Sequence, residues 1–179
     1  MPRPVRIENK GSRGAIRVFA LLCVLAALLL AGAAPAAEQR FVVTDQWVKD
    51  VATGLIWSRD ANPAGRIMSW DDAVEFISML NEQKYAGHAD WKLPDIDELK
   101  KFTVAVKEAG DIDSFSGDIT VASALKRVGF HNVQAGDYWS STTSIYNATE
   151  TWSMSMKYGG KTAGNKSLYM YVWPVRWEK

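Results

Sequence analysis

The chain has 179 residues, 47% of them hydrophobic, and its 21 basic and 20 acidic residues leave a formal net charge of +1. That balance hides a division: residues 1–36 hold Arg3, Arg6, Lys10, Arg13 and Arg17 against Glu8 alone, so the remainder carries a formal net of −3. A remainder with no basic excess is poorly suited to neutralising phosphates, which argues against nucleic acid as a partner.

In chain order, the five positive charges precede an apolar run from Val18 to Leu30, and Ala34-Pro35-Ala36 offers an A-x-A cleavage site. Residues 1–36 therefore read as a secretion signal. The alternative is a retained anchor, because Val18 to Ala37 is long enough to cross ~30 Å of hydrocarbon. A membrane is then a partner only through this segment, if it stays uncleaved. Cys23 is the only cysteine, and it follows Leu22 rather than the small residue that a lipidation signal wants. After cleavage the chain has no disulfide, thiol nucleophile or cysteine metal ligand. Residues 37–179 suit one exported domain, periplasmic or extracellular, with a sizeable core that contains all eight tryptophans.

Phe41-Val42-Val43 reads as an edge strand. Trp47 to Trp57 reads as a β-hairpin turning at Ala52-Thr53-Gly54, and Asp60 to Gly65 as a loop. Ser69 caps a helix, with Asp72 as the reciprocal acceptor of a capping-box-like start. Ala73, Phe76, Ile77 and Leu80 form its buried stripe, and it ends near Gln83. Pro94 disfavours helix at Leu93, so Trp91-Lys92-Leu93 is extended. Asp95 and Glu98 then start a second helix from Ile96 to about Lys107, with Ile96, Leu99, Phe102 or Thr103, and Val106 inward. A shorter third helix is expected from Ile119 to Val128, ending at Gly129. Tyr138 to Thr142 is extended. Trp152, Met154, Met156 and Tyr158 alternate with polar residues, as in a half-buried strand. Gly159-Gly160 turns it, and Ser167 to Arg176 forms a last strand with Pro174 at an edge or bulge. Segregated helices and strands predict an α+β fold with two main helices packed on short antiparallel strands.

The motifs Val48-x-Asp50-x-x-Thr53-Gly54-Leu55-Ile56-Trp57, Trp70-x-Asp72-Ala73, Asp90-Trp91-Lys92-Leu93-Pro94-x-x-x-Glu98-Leu99, Tyr138-Trp139-Ser140-Ser141-Thr142 and Val175-Arg176 resemble, as a spaced set, the Lcl C-terminal domain family. The resemblance runs from about Asp45 to the C-terminus. It implies a C-type-lectin-like fold, distantly akin to the formylglycine-generating enzymes. The family's collagen-like adhesin uses this domain to bind sulfated glycans and surfaces. Many members carry a cysteine in the first helix and another near the C-terminus, and the matching positions here are Phe76 and Trp177. The implied substitute for a bridge is apolar packing, with Phe76→Ala then costing roughly 3–5 kcal/mol if the ring is in the core. A sulfated ligand would need a local cluster such as Lys157, Lys161 and Lys166.

No catalytic residue is expected. His88 and His131 are the only histidines, and each stands alone. Ser140-Ser141 lacks the glycine-flanked turn of a nucleophile elbow. Formylglycine chemistry needs cysteines. Asp111-x-Asp113 with Asp118 resembles half a calcium loop but lacks the glycine and terminal glutamate of an EF-hand, so it reads as solvated, with no metal and no cofactor expected. Trp57, Trp70, Trp91 and Trp139 lie in the signature stretches and read as core. The candidate ligand residues are therefore Tyr146 and Asn147, and Tyr158, Lys161 and Asn165, in polar loops that offer ring faces and hydrogen bonds together. The expected function is a non-enzymatic binding module recognising a glycan or a cell-surface protein. The alternative is a periplasmic structural or assembly protein without a small ligand, and a histidine-dependent hydrolase is a distant third.

Overall fold

The computed structural model describes residues 39–109 and 120–178. The leader with its cleavage site, and the aspartates at 111, 113 and 118, lie outside the described residues. Among the described residues no helix is long and apolar enough to cross a membrane.

The fold is α+β, with two antiparallel sheets. The first has the order β1-β2-β3-β7, from β1 (Phe41–Val43), β2 (Trp47–Asp50), β3 (Leu55–Ser58) and β7 (Val175–Trp177). The second has the order β4-β5-β6, from β4 (Asp137–Thr143), β5 (Glu150–Ser155) and β6 (Lys161–Asn165). β1 is an edge strand, and β2 and β3 form the expected hairpin, closed by the Gly54 amide on the Asp50 carbonyl with Gly54 at φ +73°. That backbone region is strained for any residue with a Cβ.

Helix α1 (Trp70–Glu82) starts at Ser69, whose Oγ accepts from the Asp72 amide at 3.2 Å. The Asp72 carboxylate, one methylene shorter than a glutamate, bonds the Ser69 hydroxyl at 2.7 Å and not the Ser69 amide. Helix α2 (Ile96–Ala109) has the full reciprocal box: the Glu98 amide donates to Asp95 Oδ1 at 2.7 Å, and the Asp95 amide to Glu98 Oε2 at 2.8 Å. Ile96, Leu99, Phe102, Thr103 and Val106 are all buried, as the periodicity predicts. Helix α3 (Val121–Val128) is capped by Thr120, so it opens two residues later than expected and ends at Gly129.

Three expectations are corrected. Lys161–Asn165, read as part of a loop, is strand β6, paired to β5 from Met154↔Lys161 to Glu150↔Asn165. Apart from Thr162, its Lys-Thr-Ala-Gly-Asn sequence disfavours a strand, and the backbone ladder to β5 makes it one. The expected strand Ser167–Arg176 is mostly a run of separate bridges, and only Val175–Trp177 joins a sheet. Along this run Met170 pairs with Met68, Tyr171 with Tyr138, and Val175 with Lys92, so the segment ties together both sheets and the extended stretch before α2. Finally, Phe76 is only half-buried, while Trp177 is half exposed, with the Lys92 ammonium 5.8 Å from its ring. Phe76 thus packs against the edge of one core cluster and is not inside it, and Trp177 lies on β7.

The core has two clusters. In the first, Trp57 stacks on Phe102 at 4.0 Å, and Phe130 and Trp173 meet that pair edge-on. The second gathers Met68, Ile77, Leu80, Trp91, Leu93 and Trp139. Four indole N–H groups are tied to backbone carbonyls: Trp70 to Ser140, Trp91 to Tyr85, Trp139 to Met68 and Trp173 to Ser58, each at 2.8–2.9 Å. A buried tryptophan needs such a partner for its polar edge. Trp57 is the exception, its N–H having no acceptor among the described residues.

Candidate functional site

The extended stretch before α2 carries a grouping of polar side chains, and its geometry is structural. Asn81 of α1 clamps the Trp91 backbone, its Oδ1 accepting from the amide at 2.7 Å and its Nδ2 donating to the carbonyl at 2.9 Å. Arg176 Nε lies 2.7 Å from Asp90 Oδ1, with Nη2 3.2 Å from Oδ2. The Lys92 ammonium sits 2.7 Å from both oxygens of Glu98. A cleft of about 240 Å³ nearby is lined in part by Asp50, Trp57, Glu98 and Trp177. Both carboxylates are committed: Asp50 to Arg40 and the Ala52 amide, Glu98 to Lys92 and the Asp95 amide. A ligand would have to displace charge-assisted bonds to reach them.

The histidines and serines do not converge either. The His88 ring stands 6.3 Å from Trp91, whereas His131 is bridged through its backbone to Asp60. Ser140 is fully buried, its Oγ donating to the Trp152 carbonyl and accepting from the Thr142 amide. Among the described residues no group of three or more His, Cys, Asp or Glu side chains could hold a metal ion.

The five expected ligand residues all fall on the second sheet, but at opposite ends. Tyr146 and Asn147 lie in the β4–β5 connection, beside which Asn165 ends β6, since Glu150 pairs with Asn165 and the Lys166 amide bonds the Thr149 carbonyl. Tyr158 and Lys161 flank the β5–β6 turn. Lys161 and Asn165 are four residue steps apart along β6, about 13 Å at ~3.3 Å per residue.

At the first end the asparagines build turns. Asn147 Oδ1 accepts from the Thr149 amide and hydroxyl, and its Nδ2 donates to Glu150. Asn165 Oδ1 accepts from the Ser167 amide. The exposed surface is apolar and aromatic instead: Ile145 and Tyr146 are 87% and 86% exposed, and Tyr169 63%. Lys166 lies 4.2 Å from the Trp70 ring.

At the second end Lys107 and Lys157 meet Tyr158, and Lys161 opens β6. Lys107, in the last turn of α2, has its Nζ 3.4 Å from the Tyr158 carbonyl. Lys157 lies 5.0 Å from the Tyr158 ring, and the neighbouring Tyr158 side chain raises the Lys157 pKa. Lys161 lies 4.7 Å from the Trp152 ring. Such ammonium-on-ring contacts hold the cation over an aromatic face while leaving it in water. Tyr158 itself is 73% exposed. The expected cluster of Lys157, Lys161 and Lys166 is thus divided, and Lys107 takes the place of Lys166. Lys107 and Trp152 were missed because they meet Tyr158 and Lys161 only through helix packing and the diagonal neighbours of an antiparallel register.

Residues 46–176 match the model of the Lcl C-terminal domain, so the chain belongs to that family. A search of the curated proteins found no match.

Proposed function

We propose that this Lcl C-terminal domain is an exported, non-enzymatic binding module of C-type-lectin-like fold, recognising a glycan or a protein partner at the cell envelope or surface. The observation that carries this reading is the exposure of Tyr146 and Tyr158 at the two ends of the second sheet, while Trp57, Trp139, Trp173 and Phe102 are buried. Leaving a large ring in water forgoes roughly 1.5–3 kcal/mol of burial, and a ring flanked by a lysine, as Tyr158 is by Lys157, suits stacking on a sugar face with hydrogen bonds to its rim. The pairing of β3 with β7, which brings the N-terminal and C-terminal strands into one sheet, favours the lectin-like reading. Export rests on the leader's charge and apolar run.

A glycan array probed with the full chain tests this. Binding to at least one glycan class is expected, falling about tenfold or more in a Tyr158→Ala/Lys161→Ala double variant. No binding at high protein loading would instead support a structural or assembly role without a small ligand.

A further inference from the structure

We propose that the outer face of α1 is a docking groove for a basic, amphipathic peptide segment of a partner protein. Helix α1 carries two stripes. Ala73, Ile77 and Leu80 face the core. Beside them, Asp72, Phe76, Met79 and Glu82 follow at helical spacing with Glu75, and these residues with Ala64, Arg66 and Ser78 line an open groove of about 720 Å³. Phe76 is half-buried and Met79 is exposed, so two large apolar side chains lie open within a lining that is otherwise mostly polar.

The rim is acidic beyond what the helix needs. Asp71, Asp72, Glu75 and Glu82 have no basic residue in α1 to offset them, and in the groove lining Arg66 alone stands against Asp72, Glu75 and Glu82, which leaves an acidic excess. Asp72 is committed to Ser69, whereas Glu75 and Glu82 have no ion pair among the described residues. Glu82 stands in the last turn, where the helix's negative end disfavours an acid, and no lysine or arginine there offsets it. A helix face kept soluble by its charges usually mixes signs at i and i+4, and this one does not.

Charge complementarity selects the occupant. Glu75 and Glu82 are two turns apart, about 10 Å along the helix. A segment with basic residues at matching spacing, and apolar residues between them, would pair with both acids and seat its apolar side on Phe76 and Met79. Methionine's flexible thioether adapts to such partners. The groove shares no lining residue with the second-sheet surface, so this inference stands apart from glycan recognition.

Fluorescence anisotropy with the full chain reads it out, using a labelled leucine–lysine amphipathic peptide, a scrambled peptide of the same composition, and a leucine–glutamate counterpart. Saturable binding of the first is expected, at least about tenfold tighter than either control. Glu75→Gln with Glu82→Gln should weaken it by about tenfold, as should Met79→Ser, while Lys157→Ala/Lys161→Ala leaves it unchanged. All these side chains are at the surface, and circular dichroism confirms that the variants fold. Equal affinity for the scrambled peptide, no binding of the amphipathic one, or affinity indifferent to the two glutamate substitutions would overturn the proposal.

Discussion

Tyr138 shows how one buried polar atom couples the core to pH. Its ring lies between Tyr171 and Trp173, and its hydroxyl oxygen accepts from the Gln134 amide at 2.9 Å. Burial pushes its pKa well above the ordinary value of 10, because the phenolate would lose its hydration. The unfolded chain releases this proton near pH 10, and the folded chain holds it to higher pH. The unfolded state then binds fewer protons, so stability falls as pH rises above 10, by about 1.4 kcal/mol per pH unit for one group. The Tyr138→Phe variant should start lower by about 1–3 kcal/mol, since the Gln134 amide loses its acceptor. It should also lose less between about pH 9 and 11. Urea midpoints across that range check both parts, and parallel losses in the two proteins would contradict the assignment.

At the scale of elements, the two long helices contribute unequally. Phe102 on α2 is 2% exposed and touches Phe41, Trp57, Phe130 and Trp173, whereas Phe76 on α1 is half-buried beside a groove. Phe102→Ala should therefore cost roughly 3–5 kcal/mol, and Phe76→Ala about half as much, because part of its ring is already in water. Denaturation midpoints rank the two, and a larger loss at Phe76 would refute this division of the core. The same contrast explains what could be read from the chain beforehand. Both helices were legible because caps and 3.6-residue stripes are local signals, and Asp95 with Glu98 announced α2 before any contact was known. Strand β6 was not, because Lys-Thr-Ala-Gly-Asn becomes a strand only through its partner. Nor was the breaking of the C-terminal strand into bridges, since alternation from Leu168 to Trp173 records which faces are covered and not which backbone does the pairing. Among the site residues, exposure of Tyr146 followed from loop chemistry, whereas the alternation from Trp152 put Tyr158 on the apolar side of a strand, and the structure ends β5 at Ser155 and leaves Tyr158 73% exposed. The turn-building roles of Asn147 and Asn165 are also local, and Asx turns could have signalled them.

Across the whole molecule, the stretch from Asp90 to Glu98 acts as a joint. The Asn81 clamp holds it to α1, its Lys92 bridge to Val175 and the Arg176–Asp90 pair hold it to the C-terminal run, and Asp95 launches α2. Asp90, Trp91, Asp95 and Glu98 thereby serve the fold, and the proposed function places glycan recognition at the rims of the second sheet instead. Amide chemical-shift mapping of the chain with the best glycan from the array tests that division most directly. The account predicts perturbations at residues 144–149 or 157–166 with the amides of 90–98 unmoved. Shifts centred on 90–98, with both rims silent, would contradict it.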